Sequence, residues 1–195
     1  MNTNILICGV GGQGTVLASR IIAQAAMAEG MFARTAETIG MAQRGGPVTS
    51  HVRIGECGMS SLVPLGGADI LLGFEPGETV RNLPYLRKGG LVIVNTVPTK
   101  PVTEALMPSG YEGPEMVDYI RKVSECIAVN ADEVCAPFGS TKFFNIIMLG
   151  IAAGSGRLGL KRDVLLEEMA KRVPAKFLDI NREAFLHGFS LGSAE

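Results

Sequence analysis

The residues of this chain that could do chemistry lie in two short segments. The first is Cys8-Gly9-Val10-Gly11-Gly12-Gln13-Gly14, which follows an apolar run at Ile5, Leu6 and Ile7. It precedes Val16, Leu17, Ile21, Ala25 and Ala28, which recur at helical spacing. Gly9, Gly11 and Gly14 match G-x-G-x-x-G in the strand-before, helix-after context that the motif requires. A buried strand feeding a glycine turn at a helix N-terminus presents backbone N–H groups to a ligand, and the helix dipole favours anions there. Glu37, about 20 residues beyond the turn, stands where a ribose-binding acid of a dinucleotide site would. The same glycines could instead let the first helix pack close to the first strand. Gln13 adds a side-chain donor and acceptor at the helix start, suited to a ligand or a partner chain.

The second segment is Thr38-Ile39-Gly40-Met41-Ala42-Gln43-Arg44-Gly45-Gly46-Pro47. It has neither helical nor strand periodicity, so it reads as a loop. Its glycines allow close backbone approach, and Arg44 supplies a forked donor for carboxylate or phosphate. Loops on rigid scaffolds are where sites are built, which favours function over an ordinary surface turn.

The remaining candidates are single residues. Glu75 stands at the end of an apolar strand, where ligands of open α/β sheets bind, and Pro76 after it suits a first helical turn, so Glu75 is either a site residue or a helix cap. His51 is one of 2 histidines and has no partner spaced to share a metal, so it reads as a surface or interface residue, with a general-base role open. Of the 4 cysteines, none lies in a C-x-x-C pair, so neither zinc nor an iron–sulfur cluster is indicated. Cys8 and Cys126 read as small buried hydrophobes; Cys57 and Cys135 have no histidine nearby in sequence to make a catalytic thiol.

The elements that position these residues follow from the apolar pattern. Strands are expected at the N-terminus, over Met31–Glu37, Val48–Ile54, Ala68–Phe74, Leu91–Asn95 and Cys126–Ala131. Val48, Ser50, Val52 and Ile54 fall on one side of the third strand, and Thr49, His51 and Arg53 on the other. Met59–Val63 is expected to return as the other arm of a hairpin. Helices are expected from Pro76 to about Leu86, over Glu115–Val123, Asn145–Ala153 and Lys161–Val173, and after Pro174; Thr96–Pro114 is a proline-rich excursion. Asn145–Ala153 is apolar all round, so it is buried or lies in an interface. The order describes an α/β fold, a three-layer, Rossmann-like, mostly parallel sheet with helices on both faces and an added β-hairpin. Residues 1–195 form one domain, with neither an internal repeat nor a linker.

Composition narrows the function classes. Hydrophobic residues make up 47% and charged residues 19%, which argues against disorder. The mean hydropathy of +0.27 fits a buried parallel sheet or a large surface covered by another subunit, since no run is long and apolar enough to span a bilayer. A net charge of −1 without a basic cluster gives no reason to expect nucleic acid or an anionic membrane as partner. The first residues, Met1-Asn2-Thr3-Asn4, carry no secretory pattern, so the expected location is cytoplasmic.

Taken together, Gly9-x-Gly11-Gly12-Gln13-Gly14, then Glu37-x-x-Gly40-Met41-Ala42-Gln43-Arg44-Gly45-Gly46, then Ser50-His51-Val52-Arg53, resemble the gamma-type domain of 2-oxoacid:ferredoxin oxidoreductases. The Gly40–Gly46 wording looks like the smaller (beta) subunits of the indolepyruvate branch. Asn145-x-x-Met148-Leu149-Gly150 and Asn181-x-x-Ala184-Phe185-x-x-Gly188 look like that family's closing helices. Pro47 and Ile39 depart from it, standing where a small polar residue and a histidine are expected. The resemblance implies a heteromeric enzyme whose large (alpha) subunit carries thiamine diphosphate and 4Fe–4S clusters, none being bound by this chain alone. It implies oxidative decarboxylation of an aryl 2-oxoacid such as indolepyruvate, with coenzyme A as acyl acceptor and ferredoxin taking the electrons. This chain would complete the active-site cleft, with Gly9, Gly11, Gly12, Gln13, Gly14, Gln43, Arg44, Gly45 and Gly46 as cofactor-binding candidates and Arg44 the one catalytic candidate. Two other readings are an independent NAD(P)- or nucleotide-binding protein and a non-catalytic assembly subunit.

Overall fold

In a computed structural model the chain is described over residues 2–39, 46–55, 57, 60–99 and 110–194. The first strand, β1 (Thr3–Val10), is followed by the glycine turn and α1 (Thr15–Ala28), then β2 (Phe32–Ile39), β3 (Pro47–Gly55) and β4 (Ala68–Gly73). Next come α2 (Pro76–Asn82), β5 (Leu86–Asn95), α3 (Pro114–Val123), β6 (Glu125–Val129) and α4 (Ala131–Cys135). Three helices close the fold: α5 (Phe144–Gly154), α6 (Arg162–Ala170) and α7 (Leu178–Ser193). Among the described residues the sheet has 6 strands in the order β2-β3-β1-β4-β5-β6. The β1–β4, β4–β5 and β5–β6 pairs are parallel, while β3 runs antiparallel to both of its neighbours.

Alternation along the strands divides the core into two layers. Ile5, Ile7, Ile70, Leu72 and Ile93 face one side, which α1, α5, α6 and α7 cover. Leu6, Cys8, Leu71, Val92 and Val94 face the other, with Ile120 of α3 and Val63 against them. This is the three-layer, mostly parallel α/β architecture expected from the sequence.

The hairpin is placed differently from the expectation. β3 lies between β1 and β2, and its antiparallel partner in the hairpin is β2, with Phe32 opposite Gly55 and Ile39 opposite Val48. Residues 60–63 form no strand, because β3 has already given both of its hydrogen-bonding edges to β1 and β2. The carbonyls of Ser60 and Leu62 are instead taken by the Arg53 guanidinium, at 3.0 and 3.4 Å. Residues Val48, Ser50, Val52 and Ile54 do share the inward side, but His51 on the opposite side is buried rather than at the surface. Its Nδ1 accepts from Val63 N at 3.1 Å, and its ring meets Tyr85 edge-on. Burial pushes the imidazole pKa below its usual value.

Other departures are in the boundaries. α2 ends at Asn82, and β5 begins at Leu86, ahead of its two glycines. β6 stops at Val129 because Asn130 accepts from the N–H groups of Asp132 and Glu133 and starts a helix there. Cys8 is fully buried as expected, whereas Cys126 is half-buried. α5 is buried against α7, where Gly150 and Gly188 let the two backbones touch: a Cβ on either would stand 2.2 Å from Phe185 O or 2.1 Å from Ile147 O.

Candidate functional site

The glycine turn and the described end of the second segment, Gly46 and Pro47, lie at the carboxyl ends of the parallel strands. β1 ends at Val10 and enters the glycine turn there; β3 begins opposite it at Pro47. Gly11 N donates to Gly46 O at 2.9 Å, so the end of the second segment rests on the first. Gly40, Met41, Ala42, Gln43, Arg44 and Gly45 lie outside the described residues.

The turn is braced from within. Gln13 folds back so that its Oε1 accepts from Val10 N at 2.8 Å, while its Nε2 donates to Phe74 O at 3.1 Å and Thr99 Oγ1 at 3.2 Å. This ties the ends of β1 and β4 to the segment after β5. Gly9 is needed to make room, since a Cβ there would fall 2.4 Å from Gln13 Oε1 and 2.8 Å from Phe74 Cβ. Gly14, in the left-handed region at φ 83°, is covered by Asn145, whose Nδ2 would be 2.4 Å from an added Cβ. Two of the three motif glycines therefore answer to packing. Gly12, at φ 103°, has nothing within 4 Å of where a Cβ would stand, and faces open space.

This geometry differs from a dinucleotide site. In a Rossmann half the second strand lies beside the first, which brings its terminal acid to the ribose. Here β3 intervenes, so Glu37 lies on the outermost strand, where it pairs loosely with Arg20 at 3.9 Å.

Two cavities share Thr99 in their linings. The larger, about 570 Å³, is lined by Val10, Pro47, Glu75, Glu78, Arg81 and Tyr111 among others. Glu75 serves both roles anticipated for it: it caps α2 by accepting from Glu78 N at 2.8 Å, and its other oxygen accepts from Tyr111 OH in this cavity. Tyr111 OH in turn accepts from Gly77 N at 2.9 Å. Burial, then the hydrogen bond to Glu75, pushes the phenol far above its usual range. Burial also raises the Glu78 carboxyl, against the opposing pull of Arg81. The smaller cavity, about 370 Å³, is lined by Gly12, Gln13, Gly14, Asn95, Lys142 and Asn145 among others.

Tyr111, Lys142 and Asn145 were not legible as site residues. Tyr111 lies in an aperiodic proline-rich stretch, and Asn145 begins a helix whose apolar character signals only burial. The sequence did hold one pointer, because Asn145 opens the Asn145-x-x-Met148-Leu149-Gly150 wording that resembles the family's closing helices.

Chemistry by Cys8 and Cys135 is disfavoured. Burial pushes the Cys8 thiol far above its usual range, and burial together with Asp132 raises Cys135 to about 11, so neither offers a thiolate. Cys57 is exposed. Among the described residues no three His, Cys, Asp or Glu side chains converge as a metal site would require, and no single helix is long and apolar enough to cross a membrane.

Comparison with known proteins decides the family. Residues 4–191 match the model of the pyruvate ferredoxin/flavodoxin oxidoreductase family. The chain belongs to that family. An indolepyruvate oxidoreductase subunit IorB from Archaeoglobus fulgidus is 38% identical over 192 residues, which are 97% of this chain and 95% of that one. The gamma subunit of a keto/oxoacid ferredoxin oxidoreductase from Geobacter sulfurreducens has the same fold, with TM-score 0.73, 26% identity and 99% of each chain covered. The fold recurs in a 2-oxoglutarate:ferredoxin oxidoreductase from Magnetococcus marinus, solved with 2-oxoglutarate, coenzyme A and succinyl-CoA bound, at TM-score 0.75 and 18% identity. There all of this chain matches only 31% of a longer chain. The protein is thus a smaller subunit of a 2-oxoacid:ferredoxin oxidoreductase, part of a complex with a larger partner.

Proposed function

We propose that this chain, acting as one gamma-type domain over residues 1–195, is the beta subunit of a cytoplasmic indolepyruvate:ferredoxin oxidoreductase and completes the active-site cleft of the larger subunit. The reaction converts an aryl 2-oxoacid and coenzyme A into the aryl-acyl thioester, carbon dioxide and a proton, and the electron pair released passes to ferredoxin. The observation that carries this reading is the contact of the two motif segments, Gly11 N to Gly46 O, at the edge where α/β sheets bind ligands. That edge presents two cavities and an apolar rim at Val10 and Pro47.

Thiamine diphosphate supplies the decarboxylation chemistry and iron–sulfur clusters the electron path, and this reading assigns both to the larger subunit. The residues of this chain bind and position. Gly9 and Gly14 shape the turn, Gly11 and Gly46 hold the loop against it, and Gly12 leaves backbone open to a ligand. Gln13 keeps the turn rigid. Gln43, Arg44 and Gly45 of the second motif are assigned to ligand binding, with the Arg44 guanidinium suited to pair with a carboxylate or phosphate.

The test is the two-chain complex assayed by viologen reduction with indolepyruvate, pyruvate and 2-oxoglutarate in turn. The reading expects coenzyme A-dependent activity with kcat/KM highest for indolepyruvate, and a loss of about tenfold or more in Arg44→Ala. Preference for an aliphatic 2-oxoacid would move the substrate assignment, and an unchanged Arg44→Ala would remove that residue from the site.

A further inference from the structure

The larger cavity has the walls of a pocket for an uncharged ring. At about 570 Å³ it falls within the size range of small-molecule sites, which are mostly apolar with a few polar groups that fix orientation. Val10, Pro47, Val80 and Met116 give it apolar walls, and Val10 and Pro47 place it beside the glycine turn. Its charge disfavours the anionic ends of the substrates. Glu75, Glu78, Glu112 and Glu115 line it against one cation among the described residues, Arg81. Carboxylates around a partly enclosed space repel the carboxylate of a 2-oxoacid and the diphosphate of coenzyme A alike. The walls accept an apolar body without negative charge.

The polar atoms inside are largely spent on one another. The Glu75 oxygens accept from Glu78 N and from Tyr111 OH, and Tyr111 OH accepts from Gly77 N. Arg81 donates to Glu78 Oε1. Glu78 Oε2 has no hydrogen bond among the described residues, and Glu78 as a whole is 8% exposed. A ligand that fills the cavity displaces water from this oxygen and must replace the hydrogen bond that the water made. One that brings a donor to that point is therefore favoured over one that does not.

We propose that the larger cavity holds the aryl ring of the 2-oxoacid, with Val10, Pro47, Val80 and Met116 packing against it and Glu78 Oε2 accepting from the indole N–H. Glu78 is then the residue that selects an indole over a phenyl ring. The inference rests on the reading of this chain as part of an indolepyruvate-oxidising cleft and adds to it the residues that recognise the side chain.

The test is kcat/KM of the two-chain complex for indolepyruvate, phenylpyruvate and pyruvate in wild type, Glu78→Leu, Glu78→Gln and Met116→Trp. Wild type is expected to favour indolepyruvate over phenylpyruvate. Glu78→Leu cuts that preference about tenfold or more, and Glu78→Gln, which keeps an acceptor, cuts it less. Met116→Trp fills the cavity, so it lowers kcat/KM for both aryl acids about tenfold or more and leaves pyruvate within about twofold. The ratio of two kcat/KM values does not depend on how much of a variant is folded, so it reads recognition and not stability. Met116 is half-buried on another helix, so its variant speaks even if neither Glu78 variant assembles. An indolepyruvate-to-phenylpyruvate ratio unchanged in Glu78→Leu, or equal losses on all three acids in Met116→Trp, overturns the proposal. A wild-type complex that prefers pyruvate fails the assigned reaction and takes this inference with it. One that prefers indolepyruvate by the same ratio in every protein fails this inference alone.

Discussion

Replacing Gln13 separates an internal brace from a ligand contact. In Gln13→Ala, Val10 N loses the acceptor at 2.8 Å, while Phe74 O keeps its second donor, Asn95 Nδ2 at 3.1 Å. Val10 is 7% exposed, so its orphaned N–H costs on the order of 1–3 kcal/mol. Adding the two lost Nε2 bonds, the more exposed of them worth little, gives a destabilisation of about 2–4 kcal/mol. For a chain of this size that lowers Tm by about 4–16 °C. The isosteric Gln13→Glu keeps an acceptor for Val10 N but sets an oxygen where Nε2 stood 3.1 Å from Phe74 O. Ionised, it repels that carbonyl; protonated, it can donate to it. The folded protein therefore favours the protonated form and raises the carboxyl pKa, so the variant's stability is greatest at low pH and is lost as pH rises. Calorimetric Tm of wild type and both variants between pH 4 and 8 reads this out. Equal Tm for all three, with a change only in substrate KM, would show that Gln13 serves a ligand instead of the turn.

Three other perturbations follow from the packing. Gly188→Ala or Gly150→Ala drives a methyl into backbone about 2 Å away, so α5 and α7 must part; the expected cost is about 1–3 kcal/mol or more, read as a Tm lowered by roughly 4–10 °C. His51 is held neutral by burial, so between its depressed folded pKa and the ordinary 6.5 the unfolded chain binds more protons and stability falls as pH falls. His51→Gln keeps an acceptor for Val63 N and flattens that dependence; an unchanged slope in urea titrations from pH 5 to 8 would rule the histidine out as its source. Tyr111→Phe leaves Gly77 N and one Glu75 oxygen without their partner, and is expected to lower kcat/KM of the complex if the larger cavity belongs to the cleft. A loss of Tm alone would make the tyrosine a structural residue.

The order of elements was legible because each buried strand is an apolar run bounded by glycine, asparagine or proline. The inward side of β3 was legible too, since period two tells which residues share a face. Its neighbours were not, because alternation says nothing about which strand lies alongside. That is why residues 59–63 were expected to pair with β3, whose edges in fact go to β1 and β2. His51 shares a face with Thr49 and Arg53, which made the face read as surface, yet Val63 and Tyr85 close over the ring. At the site, the glycine motif was legible as a turn and its ligand was not: a glycine that admits a phosphate and one that admits Gln13 or Asn145 have the same letter. Among the described residues the two motifs are related by the backbone contact of Gly11 with Gly46, 35 positions apart in the numbering, and by the pairing of Val10 with Pro47.

The central claim is that the edge bearing the glycine turn faces the larger subunit and completes its cleft. Amide hydrogen exchange of this chain, alone and in the assembled complex, tests it most directly. The account predicts protection on assembly over residues 9–14, 46–48 and 75–78, deepened by coenzyme A or the 2-oxoacid. Protection confined to the opposite edge of the sheet, with residues 9–14 exchanging as in the free chain, would contradict it.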